Sequence, residues 1–260
     1  MTLSFAIVRR PGEELPAGLT TSREGPPDVA LALDQHRAYC RALEHCGLTV
    51  VVLPADPAYP DGCFVEDTAI LTPRGAIATR PGATSRQGEV TCVVEALAGF
   101  FEHVARIDAP GTVDGGDVCE ADGHYLIGVS ERTNAAGAEQ LAALLADLGY
   151  SSDIVDFRSS RHLLHLKTGI AYLGDGRMIV TSDAPRGGPL APYELIEVPE
   201  TERYAANCVR VNDHVLVAAG YPLVRAAVVD CGYEVLELGM SEFRKLDGGL
   251  SCLSLRGYST

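Results

Sequence analysis

Long apolar stretches are absent from this 260-residue sequence. No hydrophobic run approaches the roughly 20 residues that a membrane-spanning helix requires. The first apolar run, at residues 5–8, is also too short for the core of a secretory signal peptide. We therefore expect a cytoplasmic protein and not a membrane or secreted one.

Basic residues are scarce: 21 Lys and Arg stand against 35 Asp and Glu, which gives a formal net charge of −14. A surface of this sign repels the phosphates of nucleic acids and the headgroups of anionic lipids. The composition therefore argues against nucleic acid or membrane as a partner. It is compatible with a small cationic substrate.

Cysteine pairs at the C-x-x-C spacing of zinc and redox sites are absent as well. The eight cysteines are scattered along the chain, as Cys40, Cys46, Cys63, Cys92, Cys119, Cys208, Cys231 and Cys252. Because no secretory signal accompanies them, we interpret them as reduced thiols and not as a disulfide or zinc framework.

What the sequence does contain is a repeat of hairpin, helix and strand, recurring roughly every 40–50 residues, a period typical of propellers and arrays. The hairpins begin near residues 68, 117, 169 and 208, and a fifth strand is predicted at 252–255. The N-terminal strand, helix and strand would complete this fifth unit and remove a free sheet edge. We predict an α/β fold of five such modules around an axis, with pseudo-fivefold symmetry and a single catalytic domain over residues 1–260. A two-lobed α/β protein is the alternative.

Polar residues stand at the same place in each unit, just before or at the first hairpin strand. They are Asp61, Glu66 and Asp67, then Asp114 and Asp117, then His165, Asn207 and Cys252. In a circular array these equivalent ends meet at the axis, so the repeat predicts one pocket holding a Cys, a His and several carboxylates. Taken singly, each has a plain structural explanation: a buried cysteine is usually a small hydrophobe, and a carboxylate beside glycine is usually a turn former.

A metal pair formed by His162 and His165 is not expected. Strand spacing of three points the two side chains to opposite faces. The sequence therefore predicts no metal ligand set at this position.

Five short segments, in order along nearly the whole chain, carry a family resemblance. They are residues 61–68, 112–117, 132–134, 164–168 and 247–252. Together they resemble the dimethylarginine dimethylaminohydrolases, which belong to the guanidine-modifying enzymes built as five-bladed α/β propellers. The resemblance implies that Cys252 is the nucleophile, His165 the acid/base and Asp114 its orienting carboxylate, with Asp117 as the alternative.

The resemblance also implies where the substrate would bind. Glu66 and Asp67 would hold the guanidinium group, helped by Asp247 and the carbonyl of Leu246. At the other end of the substrate, two arginines would take the α-carboxylate and two further groups the α-amino group. These are Arg86 and Arg132 for the carboxylate, and Asp61 with the backbone of Leu19, on a mobile lid, for the amine.

The implied reaction is hydrolysis of Nω-methylated arginines to citrulline and methylamine or dimethylamine, through a covalent thiouronium at Cys252. It needs no metal or organic cofactor. An arginine deiminase or amidinotransferase-like enzyme, and a non-catalytic amino-acid-binding protein of the same fold, remain alternatives. The sequence leaves monomer and homodimer open.

One position distinguishes a hydrolase of methylated arginines from an arginine deiminase. Arginine deiminases carry an acidic residue two positions after the catalytic His, and this chain has Lys167 there. A cation cannot pair with a guanidinium, so we expect methylated arginine to be preferred over arginine.

Overall fold

The structure is a computed structural model that describes residues 2–160 and 163–258. Its strands are β1 (Phe5–Arg9), β2 (Thr49–Leu53), β3 (Ala69–Thr72), β4 (Gly75–Ala78), β5 (Val104–Arg106), β6 (Val118–Ala121), β7 (His124–Val129), β8 (Ser151–Asp156), β9 (Ile170–Gly174), β10 (Arg177–Val180), β11 (Glu194–Glu197), β12 (Val209–Val211), β13 (His214–Ala218), β14 (Glu234–Leu238) and β15 (Leu255–Gly257). The α-helices are α1 (Val29–His45), α2 (Val90–Leu97), α3 (Ala135–Asp147), α4 (Leu166–Gly169), α5 (Pro222–Asp230) and α6 (Ser241–Arg244). Short 3₁₀-helices lie at Leu15–Ala17, Val65–Thr68, Thr84–Glu89, Gly115–Asp117, Gly188–Leu190, Glu200–Ala206 and Ser251–Leu253.

Within these residues the strands form five sheets of three strands each. In each sheet the central strand pairs antiparallel with one neighbour and parallel with the other, as β4 does with β3 and β5. The last sheet joins both ends of the chain, because β1 pairs antiparallel with β15 and parallel with β2. This arrangement confirms the predicted α/β propeller of five modules.

Two of the longer helices begin at a side-chain cap. The Asp28 side chain accepts the N–H of Leu31 at the start of α1, and Asn134 accepts the N–H of Gly137 at the start of α3. The third module has only the 3₁₀-helix Gly188–Leu190 in place of a long helix, because the prolines and glycines of residues 185–192 do not allow one. In the described residues, no helix is long and apolar enough to cross a membrane.

Two local predictions are wrong. Cys252 lies on the 3₁₀-helix Ser251–Leu253, and the strand begins only at Leu255. His165 stands at the N-cap of α4 and not within an alternating strand. His162, the other histidine of the rejected metal pair, lies outside the described residues.

These corrections share one feature: a short helical turn precedes the first strand of every sheet. The five turns are Val65–Thr68 before β3, Gly115–Asp117 before β6, α4 before β9, Glu200–Ala206 before β12 and Ser251–Leu253 before β15. The polar residues at the recurring position therefore lie on or beside these turns. Because apolar strand and helix residues fill the space behind them, the turns are the parts of the modules that bring polar groups to the axis.

Candidate active site

The five turns contact one another around the axis through hydrogen bonds between neighbouring modules. Each bond joins a side chain of one turn to the next turn along the ring. The bonds are Gly116 N–H to Asp67 Oδ1 at 2.9 Å, Leu166 N–H to Asp117 Oδ1 at 3.0 Å, Asn207 Nδ2 to the Lys167 carbonyl at 2.9 Å, Ser251 N–H to Asn207 Oδ1 at 2.9 Å, and Ser251 Oγ to Glu66 Oε2 at 2.7 Å. The ring is closed, so the convergence predicted from the repeat is confirmed for these residues.

A histidine–carboxylate pair lies inside this ring. His165 Nε2 is 3.1 Å from Asp114 Oδ2, and both side chains are buried. The other oxygen of Asp114 accepts the N–H of Gly82 at 2.8 Å, which fixes the carboxylate plane. Asp117 instead accepts a backbone N–H from α4 and the hydroxyl of Ser130. The geometry therefore favours Asp114 over Asp117 as the group that orients the imidazole.

The imidazole of His165 rests against the backbone of Gly116. A Cβ atom at Gly116 would lie 2.7 Å from His165 Nδ1 and 3.1 Å from Asp67 Oδ1. Real Cβ atoms do not approach so closely, so the second glycine of the Gly115-Gly116 pair makes room for the ring.

Several charges act on His165 at once. Burial opposes protonation, but the carboxylates of Asp67, Asp117 and Asp114 outweigh it and raise the pKa of His165 from 6.5 to about 10. The pKa of Asp67 is lowered, because burial is outweighed by the charges of His165 and Arg86. The imidazole is therefore held as a cation between carboxylates, ready to donate a proton.

Two carboxylates, those of Glu66 and Asp67, act on the thiol of Cys252. Its Sγ lies 3.4 Å from the N–H of Gly249, which donates to it. Burial, reinforced by the charges of Glu66 and Asp67, raises the pKa of Cys252 to about 12, against the opposing effects of this N–H and of Lys167. In this state the thiol is protonated, and an added positive charge beside it would favour the thiolate.

Arg86 was predicted to bind the α-carboxylate of a substrate, but in the structure it pairs with Asp67. The buried Arg86 donates from Nη1 to Asp67 Oδ2 at 2.6 Å and from Nη2 to the carbonyl of Phe64 at 2.9 Å. Glu89 accepts from both Nε and Nη2 of Arg86. Four of the five guanidinium N–H groups thus have partners in the described part of the chain, and one on Nη1 has none there.

Glu89 is a site residue that sequence reasoning missed. Its side chain is almost wholly buried and holds Arg86 with paired hydrogen bonds. The spacing of three positions between Arg86 and Glu89 could have predicted their pairing, because residues at i and i+3 of a helix lie side by side.

Glu66, although adjacent to Asp67, has different partners. Lys167 Nζ donates to Glu66 Oε1 at 2.6 Å, Ser251 Oγ to Oε2 at 2.7 Å, and Arg256 Nη2 to Oε1 at 3.4 Å. All four residues line a cavity of about 660 Å³ that Asp67 does not line. The group of Glu66, Lys167, Ser251 and Arg256 therefore forms a polar partition between the His165 pocket and this cavity.

The residues implied for the other end of a substrate lie around a loop near the chain start. Asp61 Oδ1 accepts the N–H of Leu19 at 2.9 Å, and Leu19 is 43% exposed. Burial raises the pKa of Asp61, while the charges of Arg86 and Arg132 act against this rise. Asp247 also contacts the loop, through Thr20 and Thr21. Leu246 is buried beside Asp247.

The same centre offers a set of possible metal donors. Ligand atoms of Asp67, Asp114 and His165 lie within 4.8 Å of one another. Each of these residues already takes part in a hydrogen bond or ion pair with Gly116, Arg86, Gly82 or another member of the set. His165 and Asp114 are hydrogen-bonded to each other, whereas Asp67 is bonded to Gly116 and Arg86.

Comparisons with known proteins agree with this geometry. A family model described as arginine deiminase matches residues 30–186. The chain is 46% identical over 251 residues to N(G),N(G)-dimethylarginine dimethylaminohydrolase from Pseudomonas aeruginosa, covering 96% of this chain and 98% of that protein. It is 39% identical over 256 residues to the enzyme of the same name from Streptomyces coelicolor, covering 96% of each.

Solved structures give the same result. A cysteine-to-serine mutant of the Pseudomonas aeruginosa enzyme, complexed with citrulline, superimposes with a TM-score of 0.95 at 44% identity, covering 98% of this chain and all of that one. The N-terminal domain of the cyanobacterial arginine dihydrolase ArgZ shares the fold, with a TM-score of 0.87 at 19% identity and coverage of 100% and 98%. The chain therefore belongs to the arginine deiminase family and, within it, to the dimethylarginine dimethylaminohydrolases.

Proposed function

We propose that this chain hydrolyses Nω-methylated arginines to citrulline and methylamine or dimethylamine. The observation that carries the proposal is the pair of His165 and Asp114 beside Asp67, with the thiol of Cys252 close enough for Asp67 to alter its pKa. The citrulline bound to the Pseudomonas aeruginosa relative is the product of this reaction.

The substrate's own charge is part of the chemistry. A guanidinium carbon is a poor electrophile, so its planar group must be fixed by paired hydrogen bonds from carboxylates. Asp67 supplies the main one, with Asp247 and the carbonyl of Leu246 beside it. The bound cation also lowers the pKa of Cys252 and so favours the thiolate.

The reaction then proceeds in two halves. The thiolate of Cys252 adds to the guanidinium carbon, His165 protonates the departing amine, and the C–N bond breaks to leave a thiouronium on sulfur. His165, oriented by Asp114, next removes a proton from water, which adds to the same carbon. The C–S bond then breaks, the added hydroxyl gives its proton to solvent as the carbonyl of citrulline forms, and the thiolate is restored as the product is released.

The amino-acid end of the substrate is proposed to bind at the loop that carries Leu19. Asp61 and the Leu19 carbonyl take the α-amino group. Arg132 takes the α-carboxylate together with the one remaining Nη1–H of Arg86. Glu66 was predicted to hold the guanidinium, but its contacts with Lys167, Ser251 and Arg256 support a role in the partition.

Substitution of the nucleophile tests this function. We expect Cys252→Ser and His165→Gly each to lower citrulline formation by about 10⁴-fold or more, since the residues act as a unit. Each of the other seven cysteines should tolerate Ser, with the exposed Cys92 as the matched control. An essential cysteine elsewhere, with Cys252 dispensable, would contradict the assignment.

An arginine deiminase is the second candidate, since the matching family model carries that description. Lys167 favours the methylated substrate, because it neutralises Glu66 and leaves that side of the pocket without an unpaired carboxylate. Free arginine would there bury unpaired donors, at roughly 1–3 kcal/mol for each. We expect a higher kcat/KM for mono- or asymmetrically dimethylated arginine than for arginine. Equal or better turnover of arginine would favour the deiminase.

The remaining assignments are proposals too. We assign residues 1–260 to one catalytic domain that acts on a small cationic amino acid without a cofactor, nucleic acid or membrane. Eight unpaired cysteines favour a reducing compartment such as the cytoplasm. Light scattering of the purified chain would distinguish a monomer from a homodimer, and cell fractionation would test the compartment.

A further inference from the structure

The loop of residues 19–28, here called the lid loop, is fastened at both ends to the segment of residues 241–247. Thr20 Oγ1 donates to the Lys245 carbonyl at 2.8 Å near its start. Asp28 N–H donates to Glu242 Oε2 at 2.7 Å at its end. Between them Arg244 pairs with Glu24 at 2.8 Å. The lid loop therefore lies against the chain segment that leads directly into Gly248, Gly249 and the nucleophile.

Three hydrogen-bond donors of the lid loop meet at the side chain of Asp247. Its Oδ2 accepts the N–H of Thr21 at 2.6 Å, the hydroxyl of Thr21 at 3.0 Å and the hydroxyl of Thr20 at 3.2 Å. No described residue donates to its Oδ1. Asp247 also holds a φ of +58°, a left-handed conformation that Asp adopts more readily than most residues. Three donors on one oxygen fix the plane of this carboxylate.

We propose that Thr21, assisted by Thr20, positions Asp247 for the substrate guanidinium. The inference rests on the proposed function. One oxygen of the carboxylate is held by the lid loop, and the other is left to accept from the guanidinium. Because rotation of the carboxylate is lost before the substrate arrives, the hydrogen bond to the guanidinium forms in one orientation.

The arrangement also links the two ends of the substrate through the lid loop. Asp61, proposed to take the α-amino group, accepts the N–H of Leu19 at 2.9 Å. The lid loop thus holds one carboxylate for each end of the substrate.

The sharpest variant is Thr21→Val, which removes one hydroxyl donor and keeps the shape and the backbone N–H. We expect kcat/KM for monomethylarginine to fall about fivefold or more, the effect of losing one hydrogen bond to a charged group. Thr21→Ser keeps the hydroxyl and should restore the value. Ser22→Ala is the matched control, because Ser22 lies in the same loop and, among the residues that the structure describes, its Oγ accepts only from Glu24 N–H.

A double-mutant cycle tests whether Thr21 acts through Asp247. In an Asp247→Asn background, Thr21→Val should cause little further loss, because the carboxylate that it positions is already gone. Losses that simply multiply would overturn the positioning role, as would an unchanged kcat/KM in Thr21→Val.

Proteolysis gives a readout that does not depend on turnover. Arg23 is exposed within the lid loop. Trypsin should cleave after Arg23 faster in Thr21→Val than in wild type or Ser22→Ala, by about threefold or more, since weaker fastening raises the open fraction. An unchanged cleavage rate would overturn the fastening. Wild-type protein that forms no citrulline would overturn the proposed function itself, whereas an active wild type with an unaffected Thr21→Val would overturn the positioning role alone.

Discussion

Glu66 and Asp67 are adjacent, equally buried carboxylates with opposite surroundings. Asp67 meets His165, Arg86 and the backbone of Gly116 on the side of the proposed chemistry. Glu66 belongs to the polar partition and lines the cavity of about 660 Å³ described above. Both lie on the 3₁₀-helix Val65–Thr68. Successive residues of a 3₁₀-helix are about 120° apart around its axis, so neighbours in sequence point in different directions.

The partners of the two carboxylates decide what each can do. Glu66 is held by Lys167, Arg256 and a hydroxyl, so its charge is compensated by the protein's own cations. Asp67 shares Arg86 with Glu89, and its other cationic neighbour is the imidazole of His165. A substrate cation therefore finds unsatisfied negative charge beside Asp67 and not beside Glu66. Although Glu66 and Asp67 are adjacent in sequence, they do not form a single binding site for a cation.

Removing the charge of Asp67 should have the largest effect. We expect Asp67→Asn to lower kcat/KM for methylated arginine by about a thousandfold, because charge-assisted bonds to the substrate and the attraction on His165 are lost together. Glu66→Gln should cost about tenfold or less. Steady-state kinetics of the two variants measure the contrast. Equal losses would abolish the distinction between the two sides.

Lys167 tests the partition through stability. Its side chain is 18% exposed and that of Glu66 is 4% exposed, so Lys167→Met leaves a buried carboxylate with Arg256 as its remaining cation. We expect the free energy of unfolding to fall by about 2–3 kcal/mol. Urea denaturation measures this, with Arg158→Met as the control, because Arg158 pairs with Asp156 in an exposed ion pair. A Lys167 variant as stable as the control would show that the partition contributes nothing.

A substitution at Glu89 tests whether this residue holds Arg86 in position. Replacing it by Gln removes the charge that holds Arg86 and frees Arg86 to turn toward Asp67. We expect kcat/KM to fall about tenfold, mainly through a higher KM for substrates that carry an α-carboxylate. A decarboxylated substrate such as methylagmatine should show a smaller loss. The same loss with both substrates would mean that Glu89 serves Asp67 and not the carboxylate contact.

The smallest effects should appear in the titration of Cys252, on which both sides act. The pKa of this thiol is raised to about 12, so its alkylation by iodoacetamide should increase about tenfold for each pH unit between pH 7 and 9. Glu66→Gln and Asp67→Asn should each lower the pKa, because each removes a negative charge. Lys167→Met should raise it. A shift of opposite sign in any of the three would contradict the assigned positions of these charges.

A second pH effect follows from His165. Its pKa in the folded chain, about 10, lies above the unfolded value of 6.5, so its stabilising contribution is complete below pH 6.5 and is lost as pH rises through about 10. In His165→Gln the free energy of unfolding should therefore fall less steeply over this interval than in wild type. Parallel slopes would mean that the imidazole is not held as a cation.

The sequence by itself determined the module order and the position of the polar residues within each module. The hairpins predicted near residues 68, 117, 169 and 208 begin at Ala69, Val118, Ile170 and Val209, because short apolar runs and turn residues are local signals. The recurrence of polar residues before each first strand predicted their convergence. The motif at residues 247–252 drew attention to Cys252, the proposed nucleophile, although the local structure there is a helical turn and not a strand.

Only the tertiary structure decided which polar groups face one another. Asp114 and Asp117 both flank a double glycine, and packing against α4 turns Asp114 to the imidazole and Asp117 to the backbone of Leu166. Arg86 could be read as a ligand for a carboxylate, yet Glu89 and Asp67 take most of its donors. Lys167 reaches Glu66, 101 positions earlier in the chain. The local conformation of a turn limits the directions in which a side chain can point. The partner of that side chain comes from another module, however, and no local sequence pattern encodes the pairing.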